Sequence, residues 1–162
     1  MYLRNGLPYN LGATSRRLYD AIASSLPYLL QFARAEPLKE TDGLSLYIDI
    51  PSPTQDPGRP FVIWVDERVT PSIGFGPNHY HEYDDDEGIA ELIEWADAIL
   101  NDEVVIIEYI GGPNSGHGYW IDLADPEELE EVLTSPYTPH RFWLKCWSGN
   151  ADRQISIESL EP

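Results

Sequence analysis

The sequence predicts an α+β domain in which a single antiparallel sheet of five to seven strands carries two main helices on one face. Three observations lead to this class. Two long stretches have the apolar spacing of a helix, several short stretches have the spacing of a strand, and most strands follow one another through short turns. Strands joined by short turns pair antiparallel, so the expected sheet is antiparallel.

The first predicted helix begins at Thr14 or Ser15, either of which can cap its N-terminus, and runs to about residue 35. Its apolar residues recur at helical spacing. Pro27 lies inside this stretch and removes a backbone donor, so we expect a kink or two short helices. Residues 1–13 contain two glycines and one proline, which break regular structure, and are predicted to form an irregular lead-in.

The middle of the chain is predicted to contain strands separated by a loop. Residues 44–50 alternate between apolar and polar side chains, which is typical of a half-buried strand. The run 61–65 is continuously apolar, which predicts a strand covered on both faces. Residues 69–75 form a further predicted strand. The proline-rich segment 51–60 is predicted to be a loop.

The second half of the chain begins with the clearest element, a helix over 84–101 with one apolar stripe. A hairpin is predicted over 104–123, with a glycine-rich turn at 111–118. A short acidic helix is predicted next, over 125–133. Asp125 is its expected cap, and Pro126 takes its first helical position. The chain ends in a second hairpin, with strands at 140–147 and 153–157.

Composition sets strong limits on partners. The chain of 162 residues has the size of one domain, and we expect a single domain over 1–162. Its 28 Asp and Glu outnumber its 10 Lys and Arg, giving a formal net charge of −18. So acidic a chain is repelled by nucleic acid and by anionic membranes, which argues against both as partners. The 72 residues between Arg68 and Arg141 hold 17 acids and no Lys or Arg. This stretch predicts a surface that either solubilises the protein or meets a basic partner.

Cysteine content and the N-terminus indicate the compartment. The single cysteine, Cys146, cannot form an internal disulfide or a cysteine-based zinc site. Its alternation with Phe142 and Leu144 predicts a small buried apolar side chain. No apolar run reaches the length of a membrane span, and the N-terminus lacks the pattern of a signal peptide. We therefore expect a cytoplasmic protein.

Two histidines, His79 and His81, are the candidates for metal chemistry. At positions i and i+2 of a strand they point to the same face and can share one metal ion, together with Glu82, Glu87 or His117. Their surroundings depart from the cupin motif on both sides of the pair. The alternative is a structural role, in which the two rings brace the start of the following helix. No cofactor is predicted, and this pair stays the alternative metal site.

The predicted partner-binding surface combines acidic and aromatic residues. Acids crowd the start and the outer side of the 84–101 helix, and exposed aromatic rings beside acids are typical anchors for a protein partner. Trp95 lies on the shoulder of the apolar stripe, and Trp147 is expected on the outer face of the last hairpin. The candidate residues are Glu82, Asp84, Asp85, Asp86, Glu87, Glu91, Glu94, Trp95 and Trp147. A second acidic run (Glu127, Glu128, Glu130 and Glu131) is expected to extend this surface.

One stretch resembles a known class of proteins. Between Val69 and Tyr109 the chain has a Gly-Phe-Gly turn, a His-x-His pair, an acidic linker, a helix of the form Ile-x-x-Leu-Ile-x-x-Ala-x-x-Ile-Leu, and then Glu103 before a Val-Val-Ile-Ile strand. A Trp-Ser-Gly turn follows at 147–149. This pattern, which covers about a third of the chain, resembles bacterial toxin-immunity proteins. The resemblance implies a small acidic α+β protein that binds and neutralises a cognate toxin, often a nuclease.

The resulting expectation is an acidic protein-binding domain, of immunity type, that occludes a basic partner such as a toxin. The sequence has no Gly-x-Ser-x-Gly elbow, and its glycine-rich turn lacks the lysine of a P-loop, so no catalytic residue is predicted and the protein is not expected to be an enzyme. The alternative is a metal-dependent enzyme or a small-ligand-binding protein that uses His79, His81 and nearby carboxylates.

Overall fold

The computed structural model describes residues 10–37, 43–57, 59–66, 70–111, 115–134 and 141–156. Within these ranges the strands form two antiparallel sheets, and three α-helices pack against them. In chain order the elements are α1 (Ala13–Ser25), a 3₁₀ helix (Pro27–Phe32), β1 (Ala33–Pro37), β2 (Leu44–Ile50), β3 (Phe61–Val65), β4 (Pro71–Phe75), β5 (Asn78–His81), α2 (Asp86–Leu100), β6 (Val104–Tyr109), β7 (Gly118–Asp122), α3 (Pro126–Thr134), β8 (Arg141–Lys145) and β9 (Arg153–Ser156).

The first sheet is a five-stranded meander in which β1 to β5 follow one another in sequence order. Ile48 of β2 lies opposite Ile63 of β3, and Ile63 lies opposite Ile73 of β4. These fully buried side chains face α1 and α2, whose Ile22 and Leu92 are also fully buried. Because side chains alternate along a strand, the opposite face carries a separate row of residues that includes Arg34, Tyr47, Trp64, Ser72 and His81.

The second sheet has the order β7–β6–β8–β9, and its strand β6 is covered on both faces. Val104 and Ile106 belong to the same apolar cluster as α2, whereas Val105 and Ile107 belong to a second cluster that includes Val132 of α3. This double burial explains why β6 is a continuous apolar run rather than an alternating one.

The prediction of one sheet is therefore wrong, although the α+β class and the antiparallel pairing are confirmed. Strand β7 of the second sheet meets strands β4 and β5 of the first sheet through individual side-chain hydrogen bonds. The Asn78 side-chain amide donates to the Gly118 carbonyl at 2.5 Å, and the Trp120 indole N–H donates to the Phe75 carbonyl at 2.9 Å. A hairpin pattern specifies the partners within each hairpin, but it does not specify whether successive hairpins join.

The N-terminal helical region is shorter than its pattern predicts. The break at Pro27 into two short helices is confirmed, but residues 33–37 form strand β1, paired along its length with β2. The predicted side-chain cap is also wrong, because the N-cap is Gly12 and makes no side-chain capping bond. Ser15 is buried, and its hydroxyl accepts a hydrogen bond from the Leu46 N–H at 3.0 Å. The predicted cap residue thus joins α1 to the sheet.

The remaining described elements lie close to their predicted positions. The strands predicted at 44–50 and 61–65 have these bounds, and β4 lies within the predicted 69–75 strand. Both predicted hairpins form. The strands of the last hairpin are shorter than predicted and lie within the predicted limits. Asp125 caps α3 by accepting from the N–H groups of Glu127 and Glu128. Cys146 is fully buried, as its alternation indicates. The predicted lead-in at 1–13 lies mostly outside the described residues.

A buried arginine ties the proline-rich loop to the second sheet. Arg59 is 2% exposed, and its guanidinium donates to the Cys146 carbonyl at 2.5 Å and pairs with both Asp56 and Asp152. Lys145 adds a pair with Glu108 at 2.6 Å and approaches Asp56 at 3.8 Å. The loop is therefore held to the last hairpin by Arg59 and by the charge pairs of Asp56.

None of the helices in the described ranges has the length and apolar character needed to span a bilayer.

Candidate functional site

Helix α2 presents an acidic ridge that lies between two grooves. Its buried side contains Leu92, Ala96 and Ile99, while Glu91 and Glu94 are exposed, as the apolar stripe predicts. The first groove, of about 250 Å³, runs between α2 and the end of β7, and its lining residues are Glu91, Glu94, Trp95, Ala98 and Asp122. The second, of about 570 Å³, lies between α1 and α2 and also includes Glu94. Glu94 therefore lines both grooves, one on each side of the ridge.

An aromatic cluster lies behind the one aromatic ring of the first groove, that of Trp95. The rings of Tyr80 and Trp95 are parallel, with centroids 6.0 Å apart and an angle of 5° between their planes. Trp120 packs against both, with centroids 4.6 Å from Tyr80 and 5.6 Å from Trp95. Trp120 is buried and fixed by its hydrogen bond to Phe75, whereas Tyr80 is 41% exposed and Trp95 is half-buried. The position expected for Trp95, on the shoulder of the helix, is confirmed.

The acids at the start of α2 have different local roles. Asp85 is the N-cap, and its carboxylate accepts from the Gly88 N–H at 2.8 Å. Asp84 pairs with Arg17 of α1, which also donates to the Asp84 carbonyl at 2.7 Å. Gly88 is required here, because a Cβ at this position would overlap the backbone of Tyr83. The turn before α2 is thus folded tightly against the helix. The carboxylates of Asp84 and Asp85 are both engaged in contacts within this chain.

Glu82 lies at the junction between β5 and this turn. Burial raises the pKa of its carboxyl above the usual value, and the neighbouring Glu91 carboxylate raises it further. Two carboxyl groups placed this close cannot both ionise without cost, because their negative charges repel each other. Glu82 and Glu91 therefore form a region that attracts positive charge, next to the first groove.

The structure corrects the assignment of Trp147 to the partner-binding surface. Trp147 is only 7% exposed, and its ring packs edge-on against Phe61 at 5.4 Å and Phe75 at 6.1 Å. The strand ends at Lys145, so the alternation that predicts an outward side chain no longer applies two residues later. The exposed tryptophan of this hairpin is Trp143, at 38%.

The prediction that the two acidic runs form one continuous surface is wrong. Helix α3 packs on the face of the second sheet that carries Ile121, whereas α2 lies against the face that carries Trp120. Glu128 is also engaged locally, because its carboxylate accepts from the Asp122 N–H at 3.0 Å. Burial raises the pKa of the Tyr80 hydroxyl, and the charge of Glu128, which lies near the aromatic cluster, raises it further.

The two histidines lie on one face of β5, as their spacing predicts. Their ring centroids are 4.9 Å apart, and both rings contact Trp64, at 6.0 Å for His79 and 6.4 Å for His81. Nδ1 of His81 lies 2.7 Å from the Ser72 hydroxyl and 3.8 Å from the Asp66 carboxylate. The expected brace of the α2 start is instead supplied by Arg17. Within the described parts of the chain, no three His, Cys, Asp or Glu side chains are grouped so as to hold a metal ion.

Sequence reasoning missed Asp122 of the first groove and Tyr80 of the aromatic cluster that packs against Trp95. Tyr80 lies between the two histidines, and strand alternation places it on the opposite face of β5, toward α2. A usable signal was therefore present once His79 and His81 were assigned to a strand. Asp122 carried no such signal, because its position depends on the pairing of β7 with Val104 of β6.

The fold and the site together define an α+β protein with an acidic, aromatic-lined groove along one helix. Comparison of the chain with protein-family models, with curated proteins and with solved structures gave no match.

Proposed function

We propose that this protein is an acidic binding domain whose α2 ridge and first groove receive basic side chains of a protein partner. The observation that carries the proposal is the combination in one groove of three carboxylates with the half-exposed ring of Trp95. A guanidinium or ammonium group gains from nearby carboxylates and from the face of an aromatic ring. Net charge and the salt-sensitive field around it would steer a basic partner to this face.

The role that we propose is immunity against a toxin, with occlusion as the mechanism. Nucleic-acid-binding clefts are basic, because they must hold phosphates. An acidic ridge such as that of Glu91 and Glu94 can enter such a cleft and compete with the nucleic acid. The flanking grooves would receive the basic side chains on either side. No chemical step by this chain is needed, which agrees with the proposal that it is not an enzyme.

Protection of bacterial cells tests the immunity role. The product of the gene immediately upstream is expressed alone or together with this chain, and cell survival is measured. We expect toxicity that is relieved by the wild-type chain and by the Glu130→Lys/Glu131→Lys variant, whose reversals lie on exposed positions of α3. The Glu91→Lys/Glu94→Lys variant has the same net charge and should fail to protect. An upstream product that is harmless, or equal protection by both variants, would contradict the immunity role.

A further inference from the structure

The exposed face of the first sheet carries a second site, which is separate from the α2 ridge and does not depend on the proposed function. His79 and His81 are both exposed on β5, an edge strand of the sheet. A metal bound to an imidazole nitrogen lies about 2.0–2.1 Å from that nitrogen and so about 3.2 Å from the ring centre. Two rings that share a metal at tetrahedral or square-planar angles then have centroids roughly 4.5–5.2 Å apart. The observed separation of 4.9 Å lies in this range.

The hydrogen bonds around His81 leave one of its nitrogens available as a ligand. The Ser72 hydroxyl donates its single proton to the Thr70 carbonyl at 3.1 Å. With the Ser72 proton on that carbonyl, the Ser72 oxygen accepts from His81; in this tautomer Nδ1 of His81 carries a proton and Nε2 keeps its lone pair. The Asp66 carboxylate, 3.8 Å from Nδ1, favours the same arrangement. A histidine that donates its second ring N–H to a hydroxyl or carboxylate is the usual geometry of a metal ligand.

Space for the other coordination positions lies next to the pair. His79 lines a cleft of about 340 Å³ on the sheet surface, whose walls include Tyr47, Trp64 and Asn78 and whose floor includes Gly74. On the other side, His81 lines a cleft of about 410 Å³. Water or a small ligand can therefore occupy the positions that the two imidazoles leave open.

We propose that His79 and His81 form a two-imidazole site for a divalent transition metal, with Ser72 and Asp66 as residues that position His81. Imidazole nitrogens favour Cu²⁺, Ni²⁺ and Zn²⁺, and Cu²⁺ is bound most tightly in this series. Water completes the coordination. The site takes the metal from solution through its exposed face, and Trp64 lies close enough to both rings to report its arrival.

Calorimetric titration of tag-free protein with Ni²⁺ and with Cu²⁺ tests the site. We expect one ion per chain. His79→Ala or His81→Ala should weaken binding by on the order of 100-fold, because a chelate of two ligands becomes a single one. Ser72→Ala keeps both ligands but releases His81, and should weaken binding about tenfold. His117→Ala, at an exposed histidine outside the pair, is the matched control and should bind as the wild type does.

Fluorescence gives a second readout. Cu²⁺ should quench part of the tryptophan emission, and Trp64→Phe should remove that part while the calorimetric affinity stays unchanged. Circular dichroism verifies that each variant is folded. The proposal is overturned if His79→Ala and His81→Ala bind as tightly as the wild type, or if affinity is lost with His117 instead. The two rings would then have only their packing role against Trp64.

Discussion

Glu82 is a residue whose charge the fold disfavours. Burial and the neighbouring Glu91 hold its pKa above the usual 4.5 in the folded state. A carboxyl whose pKa is raised on folding stabilises the folded state fully only below its unfolded pKa. That contribution is lost as pH rises through the folded pKa. The charge at this position therefore costs stability at neutral pH.

Replacement of Glu82 by glutamine removes this cost. We expect Glu82→Gln to melt at a higher temperature than the wild type at pH 7, with a difference that shrinks as pH falls through the folded pKa toward about 4.5. The measurement is thermal unfolding at pH 7 and at about pH 4.5, followed by circular dichroism. Glu130→Gln, at an exposed position of α3, is the matched control and should change the melting temperature little at either pH. A Glu82→Gln variant that melts lower at pH 7 would show that the charge is stabilising.

At the scale of elements, the proline-rich loop depends on Arg59. Its guanidinium is buried among the Cys146 carbonyl, Asp56 and Asp152, and its Nε is buried with no hydrogen-bond partner among the residues that the structure describes. Removal of one member of a buried charge group leaves the others unpaired in a poorly solvated place. Arg59→Ala should therefore lower the free energy of unfolding by about 3–5 kcal/mol.

Urea unfolding measures this change, and Arg153→Ala is the control. Arg153 is an exposed arginine on β9, so its loss should alter stability by less than about 0.5 kcal/mol. Arg59→Lys should recover only part of the loss, because an ammonium group cannot reproduce the forked geometry of a guanidinium. Equal stability of the Arg59→Ala and Arg153→Ala variants would show that the loop is held by other contacts.

Local periodicity explains which elements the sequence predicts correctly. Helix α2 and strands β2 and β3 have strong patterns that agree with their burial, so their bounds follow from the residues alone. Strand β1 has a weaker pattern, and its alanines suit a helix as well as a strand. Its conformation is decided by pairing with β2, which is a tertiary contact. The separation into two sheets and the burial of Trp147 depend on contacts between distant elements in the same way.

The candidate site shows the same division. The exposed acids of α2 follow from the helical spacing of its apolar residues. The shared face of the two histidines follows from the alternation of side chains along a strand. The groove requires β7 to place Asp122 beside α2, and it requires Tyr80 and Trp120 to support Trp95. These neighbours come from three different elements, and their meeting is a property of the whole fold.

At the scale of the whole molecule, we propose that basic groups bind at the α2 ridge rather than anywhere on the acidic surface. This proposal is tested by titration of ¹⁵N-labelled protein with an acetylated hexa-arginine amide, followed by NMR. We expect chemical-shift changes concentrated at Glu91, Glu94, Trp95 and Asp122 that weaken as salt screens the charges. Glu91→Lys/Glu94→Lys should lower the affinity about tenfold or more, and Glu130→Lys/Glu131→Lys, of equal net charge, much less. Equal losses of affinity in the two variants, or chemical-shift changes spread evenly over the protein, would show that basic groups do not bind specifically at the ridge.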